Sequence, residues 1–187
     1  MATLHDQFGE PSDLVIKKVR PEMDAMVQDF ISQAPFAVLA TANVHGDCDA
    51  SPRGGTPGFF KVLDEKRLVI PDIAGNKLFQ SLSNVETNPN AGLIFFIPGC
   101  DWTVRVNGGA RRLDPKDGLV DGLSVETLWA DDNTRVLQGL LLDVDEAYAH
   151  CPRAFLFSKL WDPERLEESL KSDPNQYWFE RWREASA

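Results

Sequence analysis

Phe36-Ala37-Val38-Leu39-Ala40-Thr41-Ala42, then His45-Gly46, then Cys48-Asp49-Ala50-Ser51-Pro52-Arg53 read as strand, tight turn and returning strand. The pattern repeats downstream. Phe59 to Leu63 and Arg67 to Ile70 form a second hairpin around Asp64-Glu65-Lys66. Ala91 to Ile97 carries no charge, as a central, buried strand would. Trp102 to Asn107 alternates, with Trp102, Val104 and Val106 on one face and Thr103, Arg105 and Asn107 on the other. Val136 to Val144 reads as a long strand. These six or seven strands follow one another through hairpins rather than through regular helices. The expected class is therefore mainly β (α+β), an antiparallel barrel with flanking helices rather than a doubly wound sheet.

The helices occupy the gaps. Met23, Met26, Val27, Phe30 and Ile31 recur at helical spacing between Pro21 and Pro35. Gly75 to Thr87 reads as a helix with Leu78, Phe79, Leu82 and Val85 on one face, stopped by Asn88-Pro89-Asn90. Pro115 to Trp129 is expected to be partly helical. Two short helices follow, Pro152 to Trp161 and Pro163 to Leu170, the second capped by Asp162 with Pro163 in its first turn. The first twenty residues show no period and read as an arm or a short edge strand at Leu14-Val15-Ile16. The chain of 187 residues reads as one domain, its core spanning about 20–165 with a helical C-terminal extension over about 152–187.

Composition narrows the function classes. Hydrophobic residues make up 43%, enough for a sizeable core. The net charge of −10 and isoelectric point near 4.7 argue against a nucleic-acid or anionic-membrane partner. Met1 to Glu10 has no apolar run to act as a leader, and the longest apolar stretch, Leu93 to Pro98, is too short to span a bilayer. Cys48, Cys100 and Cys151 form no CxxC pair, which disfavours a disulfide framework or a zinc site. A soluble, cytoplasmic protein is the expectation.

Against that acidic background, cations gathered near glycine turns need a reason. Ser51-Pro52-Arg53-Gly54-Gly55-Thr56-Pro57-Gly58-Phe59 places three glycines and two prolines around one arginine. Glycine permits close backbone approach to a flat anionic ligand, and it equally suits a bulge or turn. Arg53 can fork onto phosphate oxygens or a ring carbonyl, or it can pair with an acid such as Asp49. Ile70-Pro71-Asp72 precedes Gly75-Asn76-Lys77, which reads as a helix start, where amide donors and Lys77 suit phosphate. A capped surface helix with an exposed lysine has the same sequence. No GxxxxGK[ST] or GxGxxG spacing occurs, so triphosphate hydrolysis is disfavoured. Thr103 and Arg105 fit a ligand-facing strand or a solvated one.

Chemistry of the chain's own is scarce. His45 sits in a turn, and His150 and Cys151 are adjacent, so on a strand they point apart. No Ser-His-Asp pattern or metal-spaced cluster is visible, as expected where a cofactor carries the reaction. The tryptophans Trp102, Trp129, Trp161, Trp178 and Trp182 read as core or interface anchors, any one of which could cover a ring.

Taken as a set, these residues resemble the pyridoxamine 5′-phosphate oxidase-like, FMN-binding split-barrel superfamily. The nearest likeness is to a bacterial subgroup described only as FMN-dependent proteins. The likeness is carried by Phe36 to Thr41, Ser51 to Gly55 with Pro57-Gly58-Phe59, Ile70-Pro71-Asp72 with Gly75-Asn76-Lys77, Asn88-Pro89, Val104 to Gly108, Cys151-Pro152-Arg153 and Leu160-Trp161-Asp162-Pro163. It implies a six-stranded split barrel and a homodimer with FMN in clefts between subunits. It places Ser51, Arg53, Gly54 and Gly55 along the flavin, and Ile70, Pro71 and Asp72 on the next strand. Asn76 and Lys77 take the place of an Arg-Lys phosphate pair, with one charge fewer. Thr103 and Arg105 face the flavin in this reading, and Arg153 and Trp161 come from the second subunit. The tail Tyr177 to Trp182 lacks the Arg-Leu-His-type substrate motif of true pyridoxamine-phosphate oxidases, so pyridoxal phosphate synthesis is not expected. The implied function is an FMN-dependent oxidoreductase acting on an unspecified small-molecule redox substrate. The alternatives are a flavin carrier or sensor without turnover, and a related barrel binding haem or a deazaflavin.

Overall fold

The opening hairpin forms as read. Strand β1 (Phe36–Ala42) pairs antiparallel with β2 (Cys48–Gly54), each Ala, Val or Leu of β1 finding its partner from Phe36↔Gly54 to Ala42↔Cys48. The turn is fixed by Asn43, whose side-chain oxygen accepts from the amides of His45 and Asp47, and by Gly46 at φ +87°, which favours glycine. The computed structural model describes residues 2–114, 126–127, 131 and 134–186. Most of the stretch expected to be partly helical, Pro115 to Trp129, lies outside the described residues.

The chain divides into two compact units, residues 1–97 with 103–150 and residues 98–102 with 151–187. The first carries the sheet. Its remaining strands are β3 (Lys61–Asp64), β4 (Arg67–Ile73), β5 (Asn90–Phe96), β6 (Thr103–Leu113) and β7 (Val136–His150). They form one seven-stranded antiparallel sheet in the order β2-β1-β5-β6-β7-β4-β3. The resemblance implies six strands. The seven observed lie at the positions that the alternation predicts, and β6 and β7 run six residues further than expected.

Alternation sets the core. Ala37 and Leu39 of β1, Leu93 and Phe95 of β5, and Val104 and Val106 of β6 point inward with Leu68, Ile70, Leu140 and Leu142, and all are buried. A second small cluster, Val69, Leu113 and Leu141, packs on the other face. Helix α3 (Ala25–Gln33) covers one side of the core through Val27 and Ile31. It starts later than Pro21 predicts, because the Asp24 side chain accepts from the Val27 amide and caps it there. Helix α4 (Gln80–Thr87) seats Leu82 and Val85 on the same core, and Asn84 donates to the buried Thr41 hydroxyl at 3.1 Å. Leu14-Val15-Ile16 is not an edge strand but part of a helix. Residues 2–20 hold two short helices, α1 (Leu4–Phe8), closed by a capping box between Thr3 and Asp6, and α2 (Asp13–Lys18). Arg20 then bridges to Ala147 of β7.

The second unit is helical: α5 (Arg153–Ser158), α6 (Pro163–Leu170) and α7 (Pro174–Ala185). Asp162 caps α6 through the Arg165 amide with Pro163 in the first turn, as the sequence predicts. Within this unit Trp161 stacks on Phe155 with ring centroids 6.1 Å apart. No helix is long and apolar enough to cross a membrane among the described residues.

Candidate functional site

Strands β2 and β4 stand first and sixth in the sheet order, yet Arg53 and Asp72 meet across them. The sheet curls until its ends approach, and a side-chain pair closes the seam where no backbone ladder does. Arg53 Nη1 donates to Asp72 Oδ1 at 2.6 Å, and Nη2 donates to Ser81 Oγ at 3.3 Å. Ser81, on the first turn of α4, donates its hydroxyl hydrogen bond to Asp49 Oδ2 at 2.6 Å. Gln138 of β7 donates to the second Asp72 oxygen at 3.2 Å. The sequence leaves Arg53 a choice between a ligand and an acid such as Asp49. In the structure the acid in direct contact is Asp72, and Asp49 is reached through Ser81.

Alongside this seam lies a cleft of about 300 Å³, at the lower end of small-molecule sites. Ser51, Arg53, Asp72, Gly75, Asn76 and Lys77 all line it. Leu78 and Phe79 present exposed apolar surface at its mouth, 65% and 40% accessible. Arg53 Nε is buried there without a hydrogen-bond partner, an open donor of the kind a ligand acceptor satisfies. Lys77 has no ion-pair or hydrogen-bond partner among the described residues.

One expectation needs correcting. Gly75-Asn76-Lys77 is not the start of a helix; α4 begins at Gln80. Lys77 and Phe79 both adopt the left-handed conformation, with φ of +62° and +52°, which breaks the helical path before Gln80. Asn76 does not cap α4 either; its side-chain oxygen accepts from the Leu78 amide and shapes the loop. The lysine is therefore carried by a strained loop at the rim of the cleft rather than by a helix tip. Strain of this kind collects at ligand-binding positions. Two non-glycine residues at positive φ within three positions leave no composition signal, which is why the sequence reads as a helix there.

The other expected site residues lie elsewhere. Gly54 and Gly55 line a second depression with Ile73, Ala74 and Thr134. Their small size is accounted for by the chain itself. A Cβ on Gly54 would stand 2.6 Å from the Pro35 carbonyl oxygen, and one on Gly55 would stand 2.5 Å from the Phe59 ring. Ile70 and Pro71 are buried in β4, paired with Leu140 and Gly139 of β7. Thr103 is buried and Arg105 half-buried on β6, opposite His150 and Tyr148. Arg153 and Trp161 belong to the helical unit, where Arg153 lies over the Phe157 ring at 4.9 Å. Trp161 borders a separate cavity of about 300 Å³ with Phe155, Lys159 and Asp101, all in that unit. Three members of the seam escaped the sequence reading as site residues: Asp49 as a bonded partner of Ser81, Ser81 itself, and Gln138. Nothing in their local sequence marks them, since Gln138 meets Asp72 by the register of β7 on β4 and Ser81 meets Asp49 by the seating of α4 beside β2. No group of acids, histidines and cysteines able to hold a metal occurs among the described residues.

The family model described as pyridoxamine 5′-phosphate oxidase matches residues 23–139, more than half of the chain. The chain belongs to the pyridoxamine 5′-phosphate oxidase family. That match covers the whole seam, from Asp49 to Gln138, and ends before residues 151–187. Two solved structures agree in fold. A variant of HupZ from Group A Streptococcus superposes with a TM-score of 0.52 at 16% identity, covering 68% of this chain and 99% of its own. A candidate pyridoxamine 5′-phosphate oxidase from Lactobacillus delbrueckii gives 0.51 at 16% identity, covering 69% and 95%. No curated protein sequence matches the chain. Membership of the pyridoxamine 5′-phosphate oxidase family accounts for the curled antiparallel sheet; at such identities the solved structures speak to fold alone.

Proposed function

We propose that this chain is an FMN-binding flavoprotein and an FMN-dependent oxidoreductase, distinct from the true pyridoxamine-phosphate oxidases whose tail motif it lacks. The observation that carries the reading is the cleft itself. It joins a buried, unpartnered Arg53 Nε, the unpaired Lys77 ammonium and the apolar Leu78 and Phe79 surface. Those features fit a ligand with a phosphate at one end and a flat ring at the other. Lys77 and the Asn76 side-chain amide would hold the phosphate, Ser51 and Arg53 Nε would bond polar ring or ribityl atoms, and Leu78 and Phe79 would screen the ring from water. Bound FMN would supply the electron transfer, which no side chain of the cleft provides.

A homodimer belongs to the same proposal. By register, the outward face of β2, β1 and β5 carries Pro52, Val38 and Ile94 in one row and Ala50, Ala40 and Gly92 in the next. A second copy is the occupant this face suits, since its short Ala and Gly row lets another sheet approach closely. Thr103 and Arg105 would then face a flavin, and Arg153 and Trp161 are the residues the resemblance assigns to the second subunit. A cytoplasmic location accompanies the reading, with Cys48, Cys100 and Cys151 all free.

The test is the visible spectrum of the protein as purified, followed by titration with FMN and riboflavin. A flavin spectrum with FMN preferred at micromolar concentration is expected. A colourless protein that refuses FMN at that level overturns the reading. Stopped-flow mixing of the loaded protein with NADH or NADPH then decides the reaction. Reduction faster than that of free flavin supports an oxidoreductase, and reduction no faster marks a carrier or sensor.

A further inference from the structure

The charges around the cleft cancel. Of its lining residues, Arg53 and Lys77 are cations and Asp49 and Asp72 are carboxylates, so the lining sums to zero. A site evolved only to grip a phosphate dianion has no use for two acids. Their placement is specific. Asp72 takes Arg53 Nη1 at 2.6 Å on one oxygen and the Gln138 amide at 3.2 Å on the other, which fixes its rotamer. The pair is well shielded, with 18% of the Arg53 side chain and 10% of the Asp72 side chain accessible. Ser81 and Asp49 hold the second guanidinium nitrogen. For Arg53 to fork onto a phosphate, both contacts must open, leaving the Asp72 carboxylate without its cation in a nearly buried setting.

We propose that Asp72 is a specificity-determining residue: it restrains and neutralises Arg53, so that Lys77 is the full positive charge a ligand phosphate meets and the cleft holds phosphorylated ligands reversibly. The inference rests on the flavin reading for the identity of the ligand, but not for its sign, which follows from the charges alone. A carboxylate that close to an arriving phosphate opposes it, and removing one unit of negative charge strengthens anion binding selectively. The ring and ribityl atoms carry no charge, so their contacts to Ser51 and Arg53 Nε change less than the phosphate contact.

The experiment compares the intact parent protein with Asp72→Asn, which preserves the shape and the acceptor to Arg53. Each is titrated with FMN, riboflavin and pyrophosphate at two salt concentrations. Asp72→Asn is expected to bind FMN about five- to fiftyfold more tightly, with a steeper loss on adding salt and riboflavin changed less than about twofold. Equal changes for FMN and riboflavin, or weaker FMN binding, overturn the proposal, because Asp72 would then act only through the fold or through aiming Arg53. Asp49→Asn, one bond further from Arg53, must shift the FMN-to-riboflavin ratio in the same direction by a smaller factor. It is the deciding variant if Asp72→Asn does not fold. Should the parent bind neither flavin, the flavin reading falls, and pyrophosphate alone judges the charge argument by thermal shift. A gain in the variant upholds it and no gain ends it.

Discussion

Lys77 is one residue whose role separates the two ends of a ligand. It sits on a left-handed loop at the cleft rim without a partner among the described residues. Lys77→Ala is expected to cost about 1.5–3 kcal/mol of FMN affinity, the range for a charged hydrogen bond, or roughly ten- to a hundredfold. Riboflavin, lacking the phosphate, should lose little; equal losses for both, measured by flavin fluorescence, would remove Lys77 from phosphate binding. The residue types here were legible in the sequence: Arg53 and Lys77 stood out as cations in an acidic chain, and the cleft unites them. Their geometry was not. Arg53 pairs with Asp72, nineteen positions away, and is steadied through Gln138, sixty-six positions from Asp72. The curl of the sheet brings Arg53 to Asp72, while Gln138 is the ladder partner of Asp72 on the neighbouring strand.

Elements were legible where side-chain period decides them. Strand β1 begins and ends where the apolar run does, and α6 begins at its predicted cap. They were illegible where backbone conformation overrides composition, as in the loop before α4 and at α1 and α2, which bury no side chain and so leave no apolar stripe. Two predictions belong at this scale. A bulge lies between Asn107 and Gly108, where β6 shifts register against β7. A Cβ on Gly108 would stand 2.0 Å from the Asp143 carbonyl oxygen, a backbone atom that cannot swing aside. Gly108→Ala is therefore expected to destabilise by about 2 kcal/mol or more, read as a lower urea midpoint at unchanged slope. In the β3–β4 turn, hydrogen bonds from the Arg67 side chain and the Lys66 amide hold the Asp64 carboxyl below its ordinary value. The folded form therefore binds this proton less readily than the unfolded chain. The contribution is present in full above the ordinary carboxylate range and is lost as pH falls through the lowered value. Acid titration of Asp64→Asn should lack that part of the decline, while parent and variant converge at the acidic end. A full decline in the variant would assign it to other carboxylates.

For the whole molecule, the family match contains every residue of the site. Residues 23–139 span the seam, while residues 151–186 hold no buried side chain and keep Tyr177, Trp178, Phe179 and Trp182 more than half exposed. The sequence reads one domain with a helical C-terminal extension over about 152–187. If two copies associate through the small-residue face, Val38→Glu should yield monomers by analytical ultracentrifugation with the far-ultraviolet signal preserved. A variant that stays dimeric would place the contact on another surface. The end strand β2 has a further consequence. Terminal strands offer bare amides and carbonyls to any passing chain, a route to fibrillar stacking. Pro52 sits midway along β2, paired with Val38 on its inner side. Lacking an amide hydrogen, it denies a newcomer one rung of the ladder. The residue beside the seam arginine thus doubles as a guard against self-templated aggregation.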